Sequence, residues 1–284
     1  MTTDNGSKLA PQPALSNNDT DIESRAAAQV PHPKPALHAS SRWRDTLSTT
    51  HAGLFFVLCS LITGLCDGVS YASFGCFISM QTGNTIFVGL GAAGLPTTKP
   101  YGWLKSLTSI SSFFLGSMVF ATAMRRVGNR LRRTLTVSFT IQALLIFVAA
   151  IIVQSDVIPH GLDDHDLDSG PLFLQLIPLA ILAFQFGGQM AASRAMGFNE
   201  LPTVVLTSVY FDVASDPALA ASPKENPKRN RRVGSITAIT VGAIAAGWLC
   251  RSAAEMQGAL WISGFIKTCI AVGWALWPAA KAGS

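Results

Sequence analysis

The chain has 284 residues, 49% of them hydrophobic and only 13% charged, with a formal net charge of +5. A soluble domain would spread charge over its surface; here long segments carry almost none, and Lys and Arg gather at segment ends, as they do beside membrane spans. Nucleic acid is therefore not an expected partner. The five cysteines, all in or beside apolar stretches with no CxxC pair, read as small hydrophobes rather than a disulfide framework or zinc site.

Residues 1–50 differ in kind. Rich in Pro, Ser, Asn, Asp and Ala and without a sustained apolar period, they are read as a disordered tail ahead of a helical membrane domain over 51–281. The tail lacks a secretory h-region, so the first span is expected to serve as the insertion signal. Glycosylation sequons at Asn5 and Asn18 fall in this tail, and a cytoplasmic tail leaves them unused.

A helix needs roughly 20 apolar residues to cross the hydrocarbon core. Six segments qualify: 53–74, 103–124, 134–154, 172–193, 234–251 and 258–278. Two further apolar stretches, 82–95 and 202–214, are short and open on polar runs, Gln81-Thr82-Gly83-Asn84-Thr85 and Asn199-Glu200-Leu201-Pro202-Thr203. Inside the first span Asp67 interrupts an otherwise uncharged stretch, and an ionisable group at membrane depth usually faces a cavity, a partner or an ion path.

Charge decides how to read the short stretches. Arg125, Arg126, Arg130, Arg132 and Arg133 form one basic cluster, and Lys224, Lys228, Arg229, Arg231 and Arg232 form another; both belong on the cytoplasmic side. The loop 155–170 carries five aspartates and no Lys or Arg, which suits the outside. If all eight stretches crossed, the two clusters would fall on opposite sides. If the short ones enter and leave on one side, both clusters lie inside with Arg42, Arg44 and Lys281, leaving only Lys99, Lys105 and Arg251 outside. The expected fold is an all-α integral membrane protein of six transmembrane helices plus two short re-entrant half-helices. Its N-terminus is cytoplasmic, and the membrane is the plasma membrane or that of an organelle.

The two halves look duplicated, as units of about 53–154 and 172–278. A shift of 126 residues aligns Ser109-Ile110 with Ser235-Ile236, Gly116 with Gly242, Arg125 with Arg251 and Phe139 with Phe265. Three spans per unit is an odd number, so the second unit would insert upside down; inverted repeats with broken helices near the midplane are a recurring transporter plan. Ser60, Gly64 and Gly68, and likewise Gly187, Ala191 and Ala195, place small residues at four-residue spacing, which lets helices approach closely in lipid.

The run Phe77-Ile78-Ser79-Met80-Gln81-Thr82-Gly83-Asn84-Thr85 after an Asp-bearing span, together with Leu201-Pro202-Thr203-Val204-Val205-Leu206-Thr207-Ser208 and Asp212, resembles the YoaK-like family of multi-spanning membrane proteins. The likeness covers about residues 50–280. Family members commonly show Thr-Gly where this chain has Thr207-Ser208. The resemblance implies membrane location and fold, and it brings no substrate or activity, because the family is a domain of unknown function.

Candidate binding residues are Asp67, Gln81, Thr82, Gly83, Asn84, Gln185, Gln189, Thr203 and Thr207. Gly83 permits backbone closed to other residues, and Asn84 or Thr85 can cap a helix N-terminus whose free amides suit an anion. Pro202 suits the first turn of the second short helix, with Asn199 as its cap. Asp67 has two readings that stay open: a proton or cation carrier, or a structural hydrogen bond to Tyr71, Gln81 or Thr82. Gln185 and Gln189 share one helix face, either lining a cavity or joining helices. Asp212 is read as interfacial. The imidazoles and carboxylates of His160–Asp168 match no metal spacing, so no metal or cofactor is assigned.

No GxSxG, HExxH or phosphate loop is present, and an enzyme is not expected. The function expected is a secondary transporter or permease of a small solute, with lipid bilayer and solute as partners and a homo-oligomer as a compatible state. The alternative is a non-transporting scaffold, assembly factor or sensor.

Overall fold

The computed structural model describes residues 42–97, 101–155, 157–158, 170–201 and 203–280. The sequons, the His160–Asp168 loop and Pro202 lie outside the described residues. Eight α-helices form among the described residues: α1 Gly53–Phe74, α2 Gln81–Ala92, α3 Gly102–Val127, α4 Arg132–Gln154, α5 Leu176–Ala195, α6 Thr207–Ala214, α7 Pro227–Cys250 and α8 Glu255–Leu276. Six of them (α1, α3, α4, α5, α7 and α8) are long and apolar enough to cross a membrane, as expected from the six apolar runs. Among the described residues there is no strand, only isolated bridges from Thr46 to Leu131 and from Leu47 to Ala279.

Local chemistry sets the helix ends. Gly75 ends α1 in a left-handed conformation (φ 67°), its N–H donating to the Tyr71 carbonyl. α7 begins at Pro227, seven residues before the expected span at 234, because the Asn226 side chain accepts the Arg229 N–H and proline fits the first helical position. α6 is shorter than the expected 202–214. Thr203 sits at φ 61°, a left-handed backbone that no α-helix continues through, so the helix starts at Thr207. Asn199 is not its cap; the Asn199 side-chain oxygen accepts from Arg194 Nη1 at 3.1 Å.

Close crossings hold the bundle. A Cβ on Gly64 would lie 2.1 Å from the Ile239 carbonyl oxygen, and one on Gly242 would lie 2.4 Å from that of Leu61, so α1 and α7 touch backbone to backbone. Gly116 and Gly187 do the same for α3 and α5, with Phe184 O 2.0 Å from a Gly116 Cβ. α4 packs along α8, and α4 with α5 and α1 with α8 complete the core. Short α2 lies on α3, and α6 lies on α7. Exchanging α1–α4 with α5–α8 leaves this set of substantial contacts unchanged.

The basic segments gather at one end of the bundle. Leu47 N–H donates to Arg130 O (2.9 Å), Ala280 N–H to Thr46 O (2.8 Å) and Arg132 Nη1 to Trp277 O, while the Arg231 guanidinium lies over Phe198 beside the start of α1. Residues 42–48, which composition groups with the tail, are thus tied to the helical domain, and Leu47 is fully buried. At the other end Lys105, near the start of α3, donates to Phe74 O at the end of α1 (3.1 Å). α2 therefore connects two helix ends that lie at the same end of the bundle. α6 does likewise at the basic end.

Candidate functional site

The first break folds back against α1. Asp67 Oδ1 accepts the backbone N–H groups of Ile78 and Ser79, both at 2.9 Å, and Oδ2 accepts the Ser79 hydroxyl at 2.5 Å. Such charge-assisted bonds are the strong ones. The carboxylate thereby takes donors just ahead of α2 that a bound anion would otherwise meet. None of its partners is Tyr71, Gln81 or Thr82; the Tyr71 ring instead stacks on Phe77 with centroids 4.7 Å apart.

Asn84 is fully buried in the first turn of α2, but not as a cap. Its Oδ1 accepts Phe77 N–H (3.2 Å), and its amide donates to Phe77 O (2.7 Å), Gln81 Oε1 (2.9 Å) and Ser109 Oγ (3.1 Å). Gln81 Nε2 in turn donates to Ile78 O (3.1 Å), and Ser109 on α3 donates to Phe77 O (2.8 Å). Asp67, Gln81 and Asn84 are thus brought together around one loop. Thr82 is exposed on the outer side of α2, and Gly83 passes the Phe77 ring, where a Cβ would lie 3.1 Å away.

The second break is held differently. Ser193, near the end of α5, donates to the carbonyls of Phe198 (3.1 Å) and Leu201 (2.5 Å). The chain then carries Thr203 to α1, where Thr63 Oγ1 donates to Thr203 O at 2.7 Å. Thr63 Oγ1 also accepts from Gln189 Nε2 (3.0 Å), and Gln189 Oε1 accepts from Lys267 Nζ. Gln189 and Thr203 therefore meet through Thr63. Gln185, one turn earlier on α5, is buried with neither amide atom bonded to protein, and Thr203 Oγ1 is likewise buried and unbonded. Thr207 is exposed at the start of α6 and is not part of this group.

Depth follows from helix rise. Thr63 lies about 15 Å into α1 from the basic end, and Asp67 about 10 Å in from the other. The two breaks thus touch α1 one turn apart, about 6 Å along its axis.

Lys267 is the residue that the reading of the spans passed over. It lies midway along α8, fully buried, with its ammonium 5.5 Å from the Phe186 ring centroid and 5.7 Å from that of Phe139. Among the described residues no carboxylate lies within 4.0 Å of it; the ion pairs, such as Arg231–Glu200 and Arg232–Asp212, sit at the basic end. The signal that would have found it is the one that found Asp67: a charge inside an apolar span. A cavity of about 600 Å³ opens elsewhere, beside the first break, between Tyr71, Phe87, Leu95 and Trp103.

Six apolar helices around buried polar groups, with Asp67 and Lys267 buried inside their spans, define a multi-spanning helical membrane protein. The chain belongs to the DUF1275 family of proteins of unknown function, which matches it over residues 55–273. That range contains both runs, Phe77–Thr85 and Leu201–Ser208, and Asp212, on which the resemblance to the YoaK-like family rests. No curated protein matches the chain, and no solved structure does.

Proposed function

We propose that the protein is a secondary transporter of a small solute, built from two inverted repeats of about 53–154 and 172–278. Each repeat carries one re-entrant segment. The observation that carries this reading is the convergence of the two breaks on Thr63 and Asp67 of α1. Broken helices meeting near the midplane at a repeat interface are where secondary transporters hold solutes.

Further observations support the repeat. The helix packing is unchanged by exchange of the two sets. Residues at the 126-residue offset take like positions: Lys105 and Arg231 bond Phe74 and Glu200, themselves at that offset, while Thr63 and Gln189 bond each other. Asp67 and Ser193, again at that offset, each tie down the segment leading to a short helix. The clustered Arg and Lys residues support a cytoplasmic position for the basic end, where α1 begins. Asp67, Gln81, Asn84, Gln185, Gln189 and Thr203 form the central group; Thr82 and Thr207 are exposed outside it, and Gly83 packs on the Phe77 ring.

Proteoliposome flux over a panel of small solutes tests the reading. Uptake above protein-free vesicles for at least one solute, falling at least tenfold in Gln189→Ala, is the expected result. Equal uptake in wild type and variant, or none above empty vesicles for every solute, overturns it.

A further inference from the structure

We infer that Lys267 anchors a binding site for a small monovalent anion, of halide to short-carboxylate size, at the centre of the helix bundle. This names the solute class for the transport reading above and rests on it.

The argument is one of compensation. An ammonium removed from water is costly unless a counter-charge and hydrogen-bond acceptors replace its hydration. Lys267 has one acceptor, Gln189 Oε1, and two aromatic faces, Phe139 and Phe186. Cation–π contacts of this kind return less than the burial of an ion costs. None of these three partners carries negative charge.

Among the described residues one carboxylate is buried, and it is unavailable. Asp67 lies one turn from Thr63, yet both its oxygens are committed to Ile78 and Ser79. No carboxylate among the described residues offsets Lys267, and a bound anion would supply that charge. Around Lys267 the elements also keep donors in hand. Gln185 Nε2 is unbonded one turn along α5 from Gln189, and Thr203 Oγ1 is unbonded on the residue whose carbonyl Thr63 holds. A buried ammonium with spare amide and hydroxyl donors on the neighbouring elements is the donor set a small anion takes. Cys59, Thr63, Phe139, Phe186 and Gln189 are all fully buried, and a close-packed interior admits only a small ligand.

The test uses the full chain purified in detergent. Sodium gluconate is replaced stepwise by sodium chloride, bromide, nitrate or formate at constant sodium, and Tm is followed. At least one of these anions is expected to raise Tm saturably, by about 3–5 °C at tenfold excess over its Kd. The rise should vanish in Lys267→Met, survive in Lys267→Arg and survive in Lys105→Met, which removes a buried lysine at the end of the bundle. No rise over gluconate in wild type, or an undiminished rise in Lys267→Met, overturns the site. A second readout does not depend on the variant folding: bromide-soaked wild-type crystals should show anomalous density beside Lys267 Nζ, and its absence at saturating bromide counts against the site. Binding without flux in vesicles keeps the site and removes the transporter; flux indifferent to these anions does the reverse.

Discussion

Asp67 and Lys267 are both ionisable, both buried and both set in apolar helices, yet the fold treats them oppositely. The difference lies in the backbone nearby. Asp67 stands beside a chain break, and a break leaves amides without helical partners. Ile78 and Ser79 supply two such donors and Ser79 adds its hydroxyl, so the acid is satisfied within its own loop. Lys267 stands in the unbroken middle of α8, whose carbonyls are already consumed by the helical ladder. It has to borrow an acceptor from the Gln189 side chain and lean on two rings. A break can neutralise an acid; a continuous helix cannot neutralise a lysine. The acid therefore reads as part of the architecture, and the lysine as the group with chemistry to spare.

The severest way to break this comparison is to disturb the crossing that carries both regions. Gly64→Leu and Gly116→Leu each drive a side chain into a facing carbonyl, 2.1 and 2.0 Å from the position of the new Cβ. Loss of most monodisperse protein on size-exclusion chromatography is expected for both. Gly247→Leu, at a position with nothing within 4 Å, should elute as wild type.

The next largest effect isolates the acid. Asp67→Ala leaves two buried amides and a hydroxyl without acceptors, a loss of about 3–5 kcal/mol read as a fall in Tm. Asp67→Asn retains one oxygen for the two N–H groups, and its cost should be about 1 kcal/mol. The same variant separates the two roles first open to this residue. If Asp67 only closes the break, uptake in vesicles keeps its response to an imposed pH gradient; if Asp67 carries the coupling proton, that response disappears in Asp67→Asn.

Much of this arrangement could be read from the chain. The six spans announce themselves because runs of about 20 apolar residues have few other uses, and polar openings mark both short helices. What escaped had physical causes. Two of the three donors to Asp67 are backbone amides, which leave no side-chain signature, and the third is the small Ser79 hydroxyl beside the more conspicuous Gln81 and Thr82. The left-handed backbone at Thr203 falls on a residue that rarely adopts it, and it shortens α6 without warning. The start of α7 was masked by charge, although Asn226-Pro227 spelled a helix start. Leu47 was lost in a polar tail because one buried apolar residue makes no period. Lys267 was fully legible, by the rule already applied to Asp67.

The smaller effects sharpen the contrast. Thr63→Val deletes the hydroxyl that joins Thr203 O to Gln189 and should cost about 1 kcal/mol, in keeping with interhelical hydrogen bonds in lipid. Lys267→Met should cost least of all. It leaves Gln189 Oε1 unbonded but also removes a buried charge that the protein itself compensates poorly, and exchange of buried ions for apolar groups of like volume is often neutral or stabilising. A Tm within about 2 °C of wild type is the expected result in gluconate, where no small anion competes. The two charges then answer truncation with opposite outcomes, one collapsing its loop and the other leaving the fold in place. A fall in Tm for Lys267→Met as large as that for Asp67→Ala would mean that the lysine, too, is architecture, and that its burial serves the helix packing rather than a ligand.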